Sequence, residues 1–157
     1  FDIPMSDFIK GPEDQDDFKI PNMRLLPLIC YEIAYPSYVR EQVQHKRAEA
    51  IITSTEDGWF GKSWGPHQHL QIAKMRALET GRYVLRSTTS GISAIIDHHG
   101  QIIKQSPQFK PFVLKGRFVD RIGLTPWVEF GLFPLFTLLC FLILLSLFMK
   151  IRKASRN

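Results

Sequence analysis

The sequence has little cysteine: two in 157 residues, Cys30 and Cys140. That number excludes a disulfide-stapled scaffold and every zinc site built on four thiolates. It is also short of unbalanced charge. The formal net charge is +5, but Lys150, Arg152, Lys153 and Arg156 near the end carry four of those units. Before them stand sixteen basic and fifteen acidic residues, a balance that gives no basic groove for phosphates and excludes nucleic acid as a partner. No methionine opens the chain. It starts FDIPMSDFIKGPEDQDDF, and residues 1–19 hold six acids and two bases interrupted by Pro4, Gly11 and Pro12. This stretch is read as an acidic connector inside a longer protein. With 45% hydrophobic and 22% charged residues, the rest has the composition of one folded domain.

Charge is missing altogether from Phe130 to Met149, FGLFPLFTLLCFLILLSLFM. Twenty helical residues span ~30 Å, the thickness of a hydrocarbon core. Thr137, Cys140 and Ser146 are its polar members, and small hydroxyls bond back to the preceding turn in lipid. A transmembrane helix over 130–149 is therefore predicted, followed by a basic tail over 150–157. The stretch Gly123 to Glu129 holds no basic residue. The positive-inside rule then puts Asn157 in the cytoplasm and the body on the opposite side, the periplasm of a bacterium. Cys140 falls mid-membrane, so Cys30 has no disulfide partner in an oxidising compartment.

The body reads as strand, helix, strand, helix and a run of strands, an α/β layer arrangement. Arg24 to Cys30 is an apolar strand in which Pro27 signals an edge or bulge. Pro36 opens a helix to about Lys46, with Val39 and Val43 one turn apart. Ala50 to Thr53 is a second strand, running into the Gly-rich loop Ser54 to Gly65. A helix from Pro66 is stopped by Gly81, with Leu70, Ala73, Ala77 and Leu78 on its inner face and Lys74 and Glu79 outside. Tyr83–Arg86, Ile92–Ile96 and Gln101–Lys104 are strands, the last two joined by the turn His98-His99-Gly100.

Cys30 closes the first strand, with Tyr31 and Glu32 behind it. A thiol held at a strand end before a helix is presented to substrate with backbone N–H groups near the reacting carbonyl. Glu32, two residues on, shares a side with Cys30 if the segment is extended. The plainer reading makes Cys30 a small core hydrophobe, and residue physics alone leaves both open. His67 and His69, two apart on a helix, lie ~200° around its axis and cannot share a metal, so they are read as surface or capping residues. His98 and His99 belong to a turn. Arg82 and Arg86 fit either a lipid phosphate or an ordinary ion pair. Trp59-Phe60 fits either core cover or an apolar lip at a membrane interface.

Cys30-Tyr31-Glu32 with Tyr35-Pro36 resembles the nucleophile motif of the nitrilase (carbon–nitrogen hydrolase) superfamily and, more narrowly, of its apolipoprotein N-acyltransferases. Supporting segments follow in the same order: Asp57-Gly58-Trp59-Phe60-Gly61, Gly65-Pro66-His67-Gln68-His69, Met75-Arg76-Ala77-Leu78-Glu79, Arg86-Ser87-Thr88 and Gly123-Leu124-Thr125-Pro126, then a membrane span. The resemblance implies the C-terminal part of a nitrilase-like αββα sandwich over residues 20–126, followed by one transmembrane helix. It implies Cys30 as nucleophile, Glu32 and Tyr31 in support with the Tyr31 N–H near the oxyanion, and Trp59, Phe60 and Arg86 at the substrate. No metal and no cofactor are implied. The family's glutamate base and lysine lie upstream of the segment that residues 1–19 resemble, so these 157 residues alone are expected to be inactive, with one sheet face left bare. Glu56 replaces an asparagine usual before Asp57, and Thr89-Ser90-Gly91 replaces an Asn-containing stretch.

Three functions are consistent with this reading. In the first, Cys30 takes an acyl chain from a phospholipid as a thioester and passes it to the α-amino group of the N-terminal cysteine of a diacylated apolipoprotein, at the bacterial inner membrane. In the second, water replaces that amine, giving a membrane-anchored amidase or nitrilase. The third is a catalytically dead module that binds lipid or lipoprotein. The apolar span and the Trp59-Phe60 loop favour a lipid substrate.

Overall fold

The structure is a computed structural model that describes residues 18–20 and 23–154. Most of the expected acidic connector, and the tail beyond Ala154, lie outside the described residues. Six strands form one mixed sheet in sequence order: β1 (Phe18–Ile20), β2 (Met23–Ile29), β3 (Ala50–Thr55), β4 (Tyr83–Thr88), β5 (Ala94–Ile96) and β6 (Ile102–Gln105). The central trio β2, β3 and β4 is parallel, and the outer strands pair antiparallel. Phe18 and Lys19, expected at the end of the connector, instead pair with Leu25 and Arg24.

Helices α1 (Pro36–Lys46) and α2 (Gly65–Thr80) connect the parallel strands. Both begin with proline in the first turn, where its missing N–H has no helical partner to lose. Gly81 ends α2 in a left-handed conformation, φ +64°, which a glycine adopts without steric cost. The helices cover one sheet face. Leu26 and Leu28, Ile51 and Thr53, and Val84 and Arg86 point into it by strand alternation, and Val39, Val43, Leu70, Ala73 and Ala77 meet them. Ala73 and Ala77 have no exposed surface, and their small side chains bring α2 close to the sheet. Leu78, expected on that inner face, is 50% exposed. The inward stripe of α2 runs instead through Pro66, His69, Leu70, Ala73, Arg76, Ala77 and Thr80, one or two residues each turn.

Pro27 sits where β1 no longer flanks β2, because that pairing ends at Leu25. The N–H of Glu49 donates to Arg24 O, which turns the even-numbered residues of β2 toward β3. Pro27 therefore faces away from β3 and breaks no ladder bond. On the second sheet face, Ile20, Ile29 and Ile52 are exposed. The irregular segment 106–125 crosses part of this face and closes a cleft of about 470 Å³ lined by Ile52, Leu85, Ile95, Phe112 and Phe118. Cys30 does not line it.

Two helices follow. The hydroxyl of Thr125 accepts the Val128 N–H and caps α3 (Pro126–Phe130), while Val128 is fully buried. Arg40 Nη1 donates to Val128 O at 2.9 Å, and Arg82 Nη2 donates to Gly123 O, so the segment ahead of the last helix is tied to the body. Gly131, at φ +56°, breaks the chain before α4 (Phe133–Ala154). The expected span thus starts three residues later, and its helix runs on through Lys150, Arg152 and Lys153. Over Phe133–Lys153 it is long and apolar enough to cross a membrane, and none of its most apolar window is buried in the protein.

Candidate functional site

The site lies at the carboxyl ends of the parallel strands, where open α/β sheets bind ligands. At Cys30 the chain leaves β2 with φ +50° and enters a short 3₁₀ turn, Cys30–Ala34. A left-handed backbone at a residue with a Cβ costs ~1–2 kcal/mol, and such strain persists where the surroundings impose it, commonly at functional sites. Here Glu32 helps to impose it: its Oε2 accepts the N–H of Ile29 at 2.6 Å, closing the turn around Cys30. The expected extended path through Cys30-Tyr31-Glu32 is therefore replaced. In a 3₁₀ turn, residues two apart lie two-thirds of a turn apart, and Glu32 is engaged by its own backbone.

Cys30 is half-buried. Tyr31 is 55% exposed and meets Tyr35 edge-on, ring centroids 5.9 Å apart. On its other side the ring of Tyr31 lies 6.1 Å from that of His69. Ile29 pairs with Ser54 in the β2–β3 register, so the loop after β3 opens beside Cys30. That loop carries Trp59 at 83%, Phe60 at 41% and Trp64 at 77% exposure. Trp59 and Phe60 are therefore not core cover. Glu56 caps the turn that presents them, accepting the Gly58 N–H, and Gly65 leaves room for the Phe60 ring, which a Cβ there would strike.

Under the loop lies a buried charge cluster that the sequence reading did not assemble. Asp57 has no exposed surface. Its Oδ1 pairs with His69 Nδ1 at 2.9 Å, and its Oδ2 accepts from Arg86 Nη2 at 2.6 Å. Burial raises the Asp57 pKa, but the His69 hydrogen bond and the Arg86 charge outweigh it and hold the carboxyl below its ordinary value. Burial lowers the Arg86 pKa, and Asp57 opposes that shift. The guanidinium also donates through Nε to Ile92 O. Gly91 lets the loop after β4 close over the carboxylate, since a Cβ there would collide with Asp57 Oδ2.

His69 is thus a buried hydrogen-bond partner of Asp57 rather than a surface or capping residue, while His67 stays exposed against Trp64, ring centroids 5.7 Å apart. The side chain of Arg86 has no exposed surface, so it is no open receptor for a lipid headgroup; Asp57 takes it up. Arg82 is also buried and serves the carbonyls of Ala48, Thr80, Gly81 and Gly123. Strand alternation already carried the signal for Arg86, which is in phase with inward Val84, and helical spacing carried it for His69, four residues before Ala73. Among the described residues no three His, Cys, Asp or Glu side chains group closely enough to hold a metal ion.

Comparison with known proteins agrees with this architecture. The chain is 44% identical over 135 residues to an apolipoprotein N-acyltransferase of Pseudomonas paraeruginosa, covering 86% of this chain and 26% of that protein. Over 156 residues it is 40% identical to the apolipoprotein N-acyltransferase of Photobacterium profundum, covering 99% and 30%. The chain therefore spans under a third of the length of these curated relatives. An amidase from Nesterenkonia sp. shares the fold, with a TM-score of 0.54 at 20% identity over 67% of this chain and 41% of that one. The family profile for carbon-nitrogen hydrolase matches residues 6–123. With its parallel strands ending at a strained Cys30, the chain belongs to the carbon–nitrogen hydrolase family.

Proposed function

We propose that this chain carries the nucleophile of an N-acyltransferase that moves a fatty acyl group from a phospholipid to the α-amino group of the N-terminal cysteine of a diacylated apolipoprotein. The observation that carries this reading is the strained Cys30 turn lying beside an exposed Trp59, Phe60 and Trp64 loop. The thiolate of Cys30 attacks the ester carbonyl, the thioester forms, and the lysophospholipid leaves as an alcohol that takes up a proton. The acceptor amine then attacks the thioester and gives up one proton to the base, the amide forms, and the thiolate is released. The Tyr31 N–H, in the first turn after Cys30, is suited to the oxyanion. On this reading the glutamate base and the lysine belong to the part of the relatives that this chain does not span. The aromatic loop seats acyl chains at the bilayer surface, and α4 anchors the domain there.

The test supplies the protein at its natural length with phospholipid and either a diacylated lipopeptide or a simple amide. Acyl transfer to the lipopeptide amine supports the proposal; amide hydrolysis without transfer would establish the amidase alternative, and neither activity the binding module.

The same reading places residues 20–126 in the periplasm and the C-terminus in the cytoplasm, because Lys150, Arg152, Lys153 and Arg156 follow the apolar stretch. A reporter active only in the periplasm, fused after Asn157, should stay silent, and a signal from it would reverse the topology.

A further inference from the structure

Tyr31 follows Cys30 directly and supplies the N–H suited to the oxyanion, yet more than half of its side chain is exposed. Its ring has two aromatic neighbours. Tyr35 lies edge-on to it at 5.9 Å, and His69 lies tilted by 52° at 6.1 Å. An exposed aromatic ring is free to change rotamer unless its neighbours hold it, so what fixes those neighbours decides where Tyr31 stays.

Both are held by other elements. Tyr35 leads into α1: its N–H donates to Glu32 O at 3.2 Å, and its carbonyl accepts the Val39 N–H at 3.1 Å. His69 comes from α2, which packs against the Cys30–Ala34 turn, and it is 3% exposed. Its Nδ1 lies 2.9 Å from Asp57 Oδ1, and the other oxygen of Asp57 is taken by Arg86 at 2.6 Å. A carboxylate only accepts, so Nδ1 carries the proton. Nε2 is buried with no hydrogen-bond partner among the described residues, which leaves Asp57 as the one polar anchor that orients the imidazole.

We propose that His69, locked on Asp57, is a positioning residue that holds the Tyr31 ring and thereby aims the Tyr31 N–H at the oxyanion formed when Cys30 attacks an acyl carbonyl. This deepens the proposed function and rests on Cys30 being the nucleophile. The ring and the N–H of Tyr31 share one Cα, so a ring that shifts carries the Cys30–Tyr31 peptide with it. Misplacement of a reacting group by ~1 Å costs on the order of 10² in rate. His69 acts through Tyr31 and moves no proton.

The experiment compares two reactions of Cys30 in the protein at its natural length and in a Cys140→Ala background, with the modified residue identified by mass spectrometry. One is formation of the hydroxylamine-sensitive acyl adduct from phospholipid; the other is alkylation by iodoacetamide. Acylation builds an oxyanion, whereas alkylation displaces iodide from a saturated carbon and builds none. His69→Asn keeps an N–H donor for Asp57 and removes the rest of the ring. It should slow acylation about tenfold or more and leave alkylation near its unsubstituted rate. Tyr31→Ala, at an exposed side chain, should show the same split. The double variant should be no slower than the slower single, because one residue acts through the other. Unchanged acylation in His69→Asn, an equal loss of acylation and alkylation, or additive losses in the double variant overturns the proposal. Where His69→Asn does not fold, His69→Gln, which also donates and lacks the ring, is read by the same two rates. Absence of an acyl adduct on Cys30 of the unsubstituted protein would instead remove the nucleophile reading, and this inference with it.

Discussion

Cys30→Ser should abolish formation of a hydroxylamine-sensitive acyl adduct in the protein at its natural length, while Cys140→Ala leaves it intact. An alcohol has a far higher pKa than a thiol and is not deprotonated by a site built for sulfur. Removal of a nucleophile costs on the order of 10⁶ in kcat where it has been dissected in other hydrolases. Cys140 lies in the exposed apolar helix α4, remote in sequence from the turn. The backbone adds a second expectation. Cys30 sits at φ +50°, a conformation that glycine takes without the ~1–2 kcal/mol steric cost. Cys30→Gly should therefore be inactive and no less stable, measured by thermal unfolding in detergent. An acyl adduct that persists in Cys30→Ser would assign the nucleophile elsewhere.

Asp57→Ala should be among the most destabilising single substitutions in the body. It leaves the Arg86 guanidinium and His69 buried without their shared acceptor, and breaking a buried pair from one side costs ~3–5 kcal/mol. Asp57→Asn keeps an oxygen acceptor for one partner and should cost less. The sign of the pH dependence follows from the carboxyl being held below its ordinary value. The stability it contributes is present above the unfolded carboxyl pKa of ~3.9 and is lost as pH falls through the lower folded value. Acid unfolding of the unsubstituted protein should accordingly steepen below about pH 4, and Asp57→Asn should flatten that limb. Thermal midpoints measured from pH 7 downward test both; an Asp57→Asn variant as stable as the unsubstituted protein at all pH values, with only Asp57→Ala losing stability, would show that Asp57 acts only by filling space.

The two expectations draw on different amounts of sequence information. Cys30 was legible as a strand-end thiol because the apolar run Arg24 to Cys30 stops there and Pro36 opens a helix soon after. Its left-handed backbone was not legible, since it depends on Glu32 reaching back to the Ile29 N–H. Asp57, His69 and Arg86 each stand in a segment singled out from the sequence, yet nothing local joins residues 12 and 29 positions apart. The spacing of His69 from His67 by itself suggests a surface or capping residue; its burial follows from its place in the inward stripe of α2.

Short-range periodicity and chain stereochemistry are written into the residue order. Prolines start α1 and α2, Gly81 stops α2, alternation turns Val84 and Arg86 inward, and a chargeless run between Phe130 and Met149 makes an apolar helix. The tertiary structure decided which of those inward groups meet. The β3–β4 register sets Arg86 against Thr53, and α2 brings His69 to Asp57 from the other side. It also decided that Gly131 separates α3 from α4, because Val128 is buried in the body while α4 leaves it. The physical reason is common to the first two. Burial of a side chain follows from spacing along one element, but a charged group in the interior is stable only with a partner, and that partner comes from another element.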